Sequence, residues 1–403
     1  MTLKTDLAPS PSLLPALLRR REQFAGQPQR WAFVGTGMMG REHMRCALWL
    51  KQVEIAGFYE PHEESAAGAQ RLLAAQGLES VQRFSSLEAL AKDPTLDAVI
   101  IATPNYTHRA VFDVLGPTRK ALLLEKPMAT CLEDAVAITR QAEARHGAFQ
   151  LGMQYRFKAQ YWAALDALEA FGPVSLINMA EFRPPFLPKV GEWNKFERYS
   201  GGTLVEKCCH YFDLMQAFAR SLPERIYASG GRAVNFQNFT YHGEAADIDD
   251  HAHVLIDYEN GVRGQFTLAM FAQELHEELT VAGAQGLLRT RERASFRPGR
   301  RSEAALQVET PAHPLFDGTP LAYPDEIEAL GHYGATVFAQ DAFLQKVRGA
   351  PSPAATAREG LWAVVTASLA QRAMALGEPI NVTATLKALG LPLDDLKPEW
   401  EPR

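Results

Sequence analysis

A histidine set between two carboxylates at helical spacing, and a lysine closing an apolar run, are the residues of this chain best suited to handle a proton. The first group lies in Gly201-Gly202-Thr203-Leu204-Val205-Glu206-Lys207-Cys208-Cys209-His210-Tyr211-Phe212-Asp213. Glu206, His210 and Asp213 stand at i, i+4 and i+7, which puts them on one face of a helix entered through glycines. Leu204, Cys208, Tyr211 and Met215 lie opposite and can pack into a core. The pattern therefore predicts a carboxylate–imidazole–carboxylate stripe facing away from that core; a merely solvated polar stripe has the same spacing. The lysine is Lys126, in Glu125-Lys126-Pro127 after the apolar run 121–124. Its plain alternative is a surface lysine. Imidazole titrates near neutrality and suits a general base. Glu206, one turn away, can orient the ring and stabilise its charged form. An ammonium can steady a developing alkoxide. These roles fit alcohol oxidation, which also requires a hydride acceptor.

The elements that must position these groups follow from the apolar pattern. A short helix is predicted around 13–24. Strands at 31–34, 53–59, 98–102 and 121–124 alternate with helices at 41–50, 65–76, 87–92, 108–115 and 132–146. That rhythm gives a parallel sheet with right-handed crossovers. It breaks near Gln150. The segments 174–182, 224–229, 252–258, 263–270 and 277–281 then read as an antiparallel sheet, with Asn260-Gly261 as a hairpin signal. Helices are predicted at 325–348 and 354–376, the second capped by Gly377.

Between the first strand and first crossover helix stands Gly35-Thr36-Gly37-Met38-Met39-Gly40. Gly35 allows the tight turn, Gly37 admits a pyrophosphate, and Gly40 lets helix and strand pack closely. The helix N-terminus presents unpaired N–H groups to the phosphates. Glu60 ends the second strand 25 residues after Gly35, placed to accept the adenosine ribose hydroxyls and repel a 2′-phosphate. No Arg or Lys follows in Pro61-His62-Glu63-Glu64, so NAD is expected over NADP. Thr103-Pro104-Asn105, after the strand at 98–102, should line the cofactor with Glu125 and Lys126, since ligands bind beyond the carboxyl ends of such strands. His108 reads equally as a cofactor neighbour or a packed corner.

Composition excludes other classes. Across 403 residues, 47% are apolar and 22% charged, ordinary for a globular chain. A net charge of −6 argues against nucleic-acid binding, and no apolar run suggests a membrane span. Cys46, Cys131, Cys208 and Cys209 are too sparse for a disulfide scaffold and read as reduced thiols in a cytoplasmic protein. Arg19-Arg20-Arg21 lacks the apolar stretch of an export signal. Asp247, Asp249, Asp250, His251 and His253 crowd before a strand, but no recognised metal-ligand spacing accompanies them, so no metal is expected.

Taken together, GTGMMG at 35–40, ATPNYTH at 102–108, EKP at 125–127, GGTLVEKCCHYFD at 201–213 and GLWAVV at 360–365 resemble the glucose–fructose oxidoreductase / inositol dehydrogenase (Gfo/Idh/MocA) family. The resemblance implies an α/β chain: an N-terminal Rossmann doubly wound parallel sheet and a C-terminal α/β domain with a large open, mostly antiparallel sheet. The boundaries it suggests are an extension at 1–30, the NAD-binding domain at 31–150, a substrate and oligomerisation domain at 151–385, and a tail at 386–403. It implies NAD(P)-dependent oxidation or reduction of a sugar, cyclitol or related polyol by a homodimer or homotetramer joined through the open sheet. Lys126 and His210 map onto the family's catalytic lysine and histidine. Glu206 replaces its usual aspartate, and Cys208 a frequent glycine. Tyr155, Arg156 and Trp193 fall where family members often line the substrate pocket; for Tyr155 and Trp193 core packing is the equal alternative. An NAD-retaining glycosidase and a non-catalytic NAD-sensing regulator are the alternatives.

Overall fold

The computed structural model describes residues 13–168, 172–295, 302–311 and 318–400. Most of the helix-forming start is therefore seen: α1 (Leu13–Glu22) precedes the first domain. That domain runs β1 (Gln29–Val34), α2 (Met38–Leu50), β2 (Val53–Tyr59), α3 (Glu63–Ala74), β3 (Gln82–Arg83), α4 (Leu87–Lys92), β4 (Ala98–Ile101), α5 (His108–Leu115), β5 (Ala121–Glu125), α6 (Leu132–Ala144) and β6 (Phe149–Gly152). The strands pair in parallel in the order β3-β2-β1-β4-β5-β6. Every residue of β4 and β5 is buried, as expected of strands covered by helices on both faces. The order reverses between β1 and β4, so a crevice opens beyond their carboxyl ends. β6 lies where the sequence rhythm breaks; four residues leave too little pattern to declare a strand.

The second domain contains α7 (Ala159–Ala167), β7 (Val174–Phe182), α8 (Glu197–Ser200), α9 (Thr203–Glu206), α10 (Cys209–Ala219), β8 (Pro223–Gly231), β9 (Thr240–Tyr241), β10 (Glu244–Ala245), β11 (His251–Tyr258), β12 (Arg263–Ala269), β13 (Leu275–Gly283), β14 (Gly286–Ala294), β15 (Glu303–Glu309), β16 (Thr319–Leu321), α11 (Asp325–Glu328), α12 (Ala335–Val347), α13 (Ala357–Leu376), β17 (Ile380–Asn381) and α14 (Val382–Ala388). Nine strands form one sheet, β16-β15-β14-β13-β7-β12-β11-β8-β17. Only β7 and β12 pair in parallel. The Asn260-Gly261 turn joins β11 to β12, with Asp257 opposite Arg263 and Gly261 at φ 90°. One sheet face packs beneath α10 and α13. The other leaves Leu176, Phe182, Tyr227 and Leu255 exposed. β14 escapes the apolar pattern because its inward positions include Thr290 and Glu292.

Two expected helices are interrupted. The stretch 325–348 breaks at Gly331, His332, Tyr333 and Gly334, where φ is 130°, 42°, 53° and 88°. The stretch 201–213 divides into α9 and α10. α13 meets expectation, with a Thr356–Glu359 capping box and Gly377 at φ 67°.

Candidate active site

The glycine loop has the geometry its sequence asks for. Gly35 has φ 84°, and a Cβ there would lie 2.6 Å from the Ala102 carbonyl oxygen. A Cβ on Gly40 would lie 2.1 Å from the Gly35 oxygen, so α2 presses directly on the loop. Around Gly37, by contrast, a Cβ would meet nothing within 4 Å. Gly37 caps α2 without a side-chain bond, so no capping side chain occupies the first turn of the helix. That opening fits a pyrophosphate. Thr36 donates its backbone N–H to Glu60 Oε2 at 2.7 Å, and His62 donates to Oε1 at 2.9 Å. The Glu60 carboxylate is thus fixed at the loop's edge. Arg83 reaches this edge from β3, but its guanidinium is taken by Glu63 at 2.7 and 3.0 Å.

Beyond β4, Thr103 lies against Gly35 and the Pro104 carbonyl accepts from Thr107 Oγ1. Asn105 ties this loop to the second domain through the Ser200 carbonyl, 3.2 Å from Nδ2. Two residues expected at the cofactor serve otherwise. His108 is buried with Nδ1 2.8 Å from the Pro127 carbonyl and Nε2 3.1 Å from that of Thr103, and burial pushes its pKa down. It braces a packed corner. Glu125 is also buried; Oε1 meets His43 Nε2 at 2.7 Å and Oε2 accepts from the Lys126 amide. His43 in turn bonds Gln340 of α12, so Glu125 sits in a latch between the domains.

Lys126 carries its ammonium to the second domain. Nζ donates to the Glu206 carbonyl at 2.9 Å and lies 3.7 Å from Glu206 Oε2. In a continuous helix that carbonyl would accept the His210 amide. Lys126 takes its place where α9 ends. Glu206 does not hold the His210 ring, as the spacing suggested. Its carboxylate lies between Lys126 and Lys189, with Lys189 Nζ 3.3 Å away. Burial alone would raise its pKa; Lys126 and Lys189 overcome that and bring it to about 2.

His210 is oriented by stacking. Its ring lies parallel to Tyr155 with centroids 4.0 Å apart, and the Tyr155 hydroxyl accepts from Lys207 Nζ at 2.7 Å. His210 Nδ1 is buried without a hydrogen-bond partner among the described residues. Burial first, then Lys126 and Lys207, hold the imidazole far below its ordinary pKa, so it rests neutral.

The third member of the predicted stripe is absent from this cluster. Asp213 is buried and held by Arg156 through bonds of 2.7 and 2.6 Å, while Arg156 also meets Glu359 at 3.0 Å. The stripe faces the interior, and Arg156 serves a buried ion-pair network instead of lining a pocket. Trp193 is buried beneath Lys189, whose Nζ lies 4.6 Å from a ring centroid. Sequence reasoning missed Lys189, Lys207 and His332. Lys207 lay within the motif, adjacent to Glu206. Lys189 follows Pro184-Pro185-Phe186-Leu187-Pro188, which has no periodicity to read. His332 projects from the left-handed break before α12, with Nδ1 2.6 Å from Glu42 of α2.

In the acidic and histidine cluster at 247–253, side chains make contacts within the second domain. Asp250 accepts the amides of Ala233, Val234 and Asn235, and His253 meets Thr267 Oγ1. No helix among the described residues is long and apolar enough to cross a membrane.

Residues 29–153 match the model of an oxidoreductase family with an NAD-binding Rossmann fold, and residues 167–382 match that family's C-terminal alpha/beta domain. Trans-1,2-dihydrobenzene-1,2-diol dehydrogenase of Sus scrofa is 24% identical, over 64% of this chain and 72% of its own. The rhizopine catabolism protein MocA of Rhizobium meliloti is 25% identical, over 59% of this chain and 70% of its own. Levoglucosan dehydrogenase, solved with NADH, superposes with a TM-score of 0.71 at 18% identity, covering 88% of this chain and 99% of that one. With both domain models matched in order and an open glycine loop to receive the cofactor, the chain belongs to the Gfo/Idh/MocA oxidoreductase family and carries its NAD-binding Rossmann domain.

Proposed function

We propose that the chain is an NAD-dependent dehydrogenase transferring a hydride between the cofactor and a hydroxyl-bearing carbon of a sugar, cyclitol or related polyol. The observation that carries this reading is the placement of His210, stacked on Tyr155 with its buried Nδ1 free of hydrogen-bond partners among the described residues and its ring held neutral by burial and the Lys126 ammonium. NAD, when bound, supplies the acceptor for the two electrons lost by the carbinol carbon. His210 takes the hydroxyl proton, a role open to it because it starts without one. Lys126, anchored on the Glu206 carbonyl, presents positive charge to the oxygen as that proton departs. Tyr155 fixes the plane of the ring. Glu206 holds Lys126 and Lys189 in place and stays ionised throughout. Glu60 favours NAD over NADP, since a 2′-phosphate would meet its fixed charge. The names of the diol and levoglucosan dehydrogenases support a hydroxyl substrate.

The outer face of the nine-stranded sheet, with Tyr227 and Leu255 exposed side by side, is our candidate for a subunit interface; size-exclusion chromatography of the wild type beside Leu255→Glu tests it. The function is tested by incubating the protein with neutral and acidic sugars and cyclitols plus NAD or NADP and following NADH or NADPH absorbance. Oxidation of a polyol with NAD supports the reading. Absence of turnover across the panel, in both directions, refutes it.

A further inference from the structure

No arginine or lysine stands in the four residues after Glu60, yet the sheet brings one to it. Arg83 lies on β3, in register with Phe58 of β2. Its side chain runs toward the carboxyl end of β2, where Nη2 donates to the Glu60 carbonyl at 2.9 Å. The guanidinium is thus bonded to the same residue whose carboxylate is placed to accept the ribose hydroxyls. An arginine beside that carboxylate is a common means by which a dinucleotide site accommodates a 2′-phosphate.

Here the arginine is engaged. Glu63, at the start of α3, accepts from Nη1 at 3.0 Å and from Nη2 at 2.7 Å, one bond to each carboxylate oxygen. That two-pronged geometry fixes the guanidinium in direction as well as in place. Hydrogen bonds from Arg83 hold Glu63 below the ordinary carboxylate pKa, so the pair is ionised. The other charged groups of this edge do not free Arg83 or replace it. Glu60 and the exposed Glu64 are both acidic. Arg41 donates to the Thr36 carbonyl at 2.7 Å and lies against Gly68 of α3. His62 accepts the Ser65 amide at Nδ1. A 2′-hydroxyl can donate to Glu60. A 2′-phosphate would meet that charge with the nearest cation already taken. The Arg83–Glu63 pair is open to water, with side chains 31% and 81% exposed, and is weak in itself. A phosphate that drew Arg83 away would, however, leave the Glu63 carboxylate alongside it.

We propose that Glu63 is a second determinant of cofactor choice: by pairing with Arg83 it withholds that guanidinium from the 2′-phosphate of NADP and so enforces NAD. Glu63 is a positioning residue, acting through Arg83. The inference rests on the reading of Glu60 as the ribose acceptor and is independent of the substrate.

The test measures Kd for NADH and NADPH by fluorescence titration of the full chain and of Glu63→Gln, Arg83→Met and the double variant. In Glu63→Gln the ratio of the NADPH Kd to the NADH Kd should fall roughly tenfold, as expected for a new charged hydrogen bond to the phosphate, and the gain should shrink as NaCl is raised. Arg83→Met alone should leave the ratio near that of the wild type. Added to Glu63→Gln, it should remove most of the gain, because the released guanidinium is what the phosphate meets. An unchanged ratio in Glu63→Gln overturns the proposal. So does a gain that survives in the double variant, since Glu63 would then act by repulsion alone. A loss of NADPH affinity in Arg83→Met alone also overturns it, since Arg83 would then already serve the phosphate. If Glu60→Gln shifts the ratio and Glu63→Gln does not, this inference falls and the Glu60 reading stands; the opposite pattern removes Glu60 and keeps Glu63. The readout is binding, so a chain that turned over no polyol would sink the dehydrogenase reading and leave this one intact.

Discussion

Gly37→Ala separates cofactor binding from folding at a single atom. The added methyl meets no protein atom within 4 Å, and the backbone there is φ −62°, ψ −155°, outside the left-handed region. The folded protein should accept it at about 1 kcal/mol or less, the usual difference between Gly and Ala at a helix N-cap. For a chain of this size that lowers Tm by only a few degrees (about 2–4 °C per kcal/mol). The same methyl occupies the space through which the pyrophosphate must approach the α2 amides. Charged hydrogen bonds contribute about 1.5–3 kcal/mol each. Losing one or two weakens binding by about 2–4 kcal/mol, which is roughly a 30- to 1000-fold rise in Kd. Gly40→Ala is the counterpart: its methyl would sit 2.1 Å from the Gly35 oxygen, so helix and loop must part. Overpacking of that kind costs about 1–3 kcal/mol, and Tm should fall along with affinity. The assays are NADH fluorescence titration and thermal melting on the same samples. A Gly37→Ala protein that melts normally and binds NADH as tightly as wild type would show that the pyrophosphate lies elsewhere.

His210→Gln should lower kcat by about 10²–10⁴-fold while the NADH Kd stays unchanged; near-normal turnover removes the base assignment. Because burial and neighbouring lysines hold His210 below its ordinary value of 6.5, its neutral form persists under mildly acidic conditions, and the acid limb of kcat/KM should fall below pH 6.5. The same sign governs stability: His210 and His108 are both depressed, so the unfolded chain binds more protons below pH 6.5, and Tm should decline as pH drops through that region. Arg156→Met strands the buried Asp213 and Glu359 and should cost about 3–5 kcal/mol, read by denaturant unfolding; a rise in KM with unchanged stability would return Arg156 to the substrate pocket. Glu60→Gln keeps the side-chain volume but removes its charge, and the NAD-over-NADP preference in Kd should drop by about tenfold, corresponding to about 1.4 kcal/mol.

Local regularity made the first domain readable. β4 and the first four residues of β5 are unbroken apolar runs because both faces are covered, and the glycine loop needs only its own neighbours to be recognised. α13 announces itself through Thr356, Glu359 and Gly377, all local capping devices. The second domain resists where its interior is polar. β14 turns Thr290 and Glu292 inward, toward the face where Lys158 is buried, so alternation fails as a guide. The helical stripe misled for a related reason. Spacing correctly placed Glu206, His210 and Asp213 in one short segment, but assumed that charge seeks water. The fold supplies buried partners instead, Arg156 for Asp213 and the lysines for Glu206.

By itself, the sequence determined the cofactor loop, the alternation that builds its sheet, and the residue types able to move a proton. Each depends on interactions within a turn or two of chain. Only the tertiary structure decided their partnerships. Lys126 meets Glu206 across 80 residues and Glu125 meets His43 across 82, contacts invisible to any local pattern. It is the tertiary fold, too, that brings Lys189 to the site from a segment without periodicity and, by excluding water, leaves His210 neutral among cations.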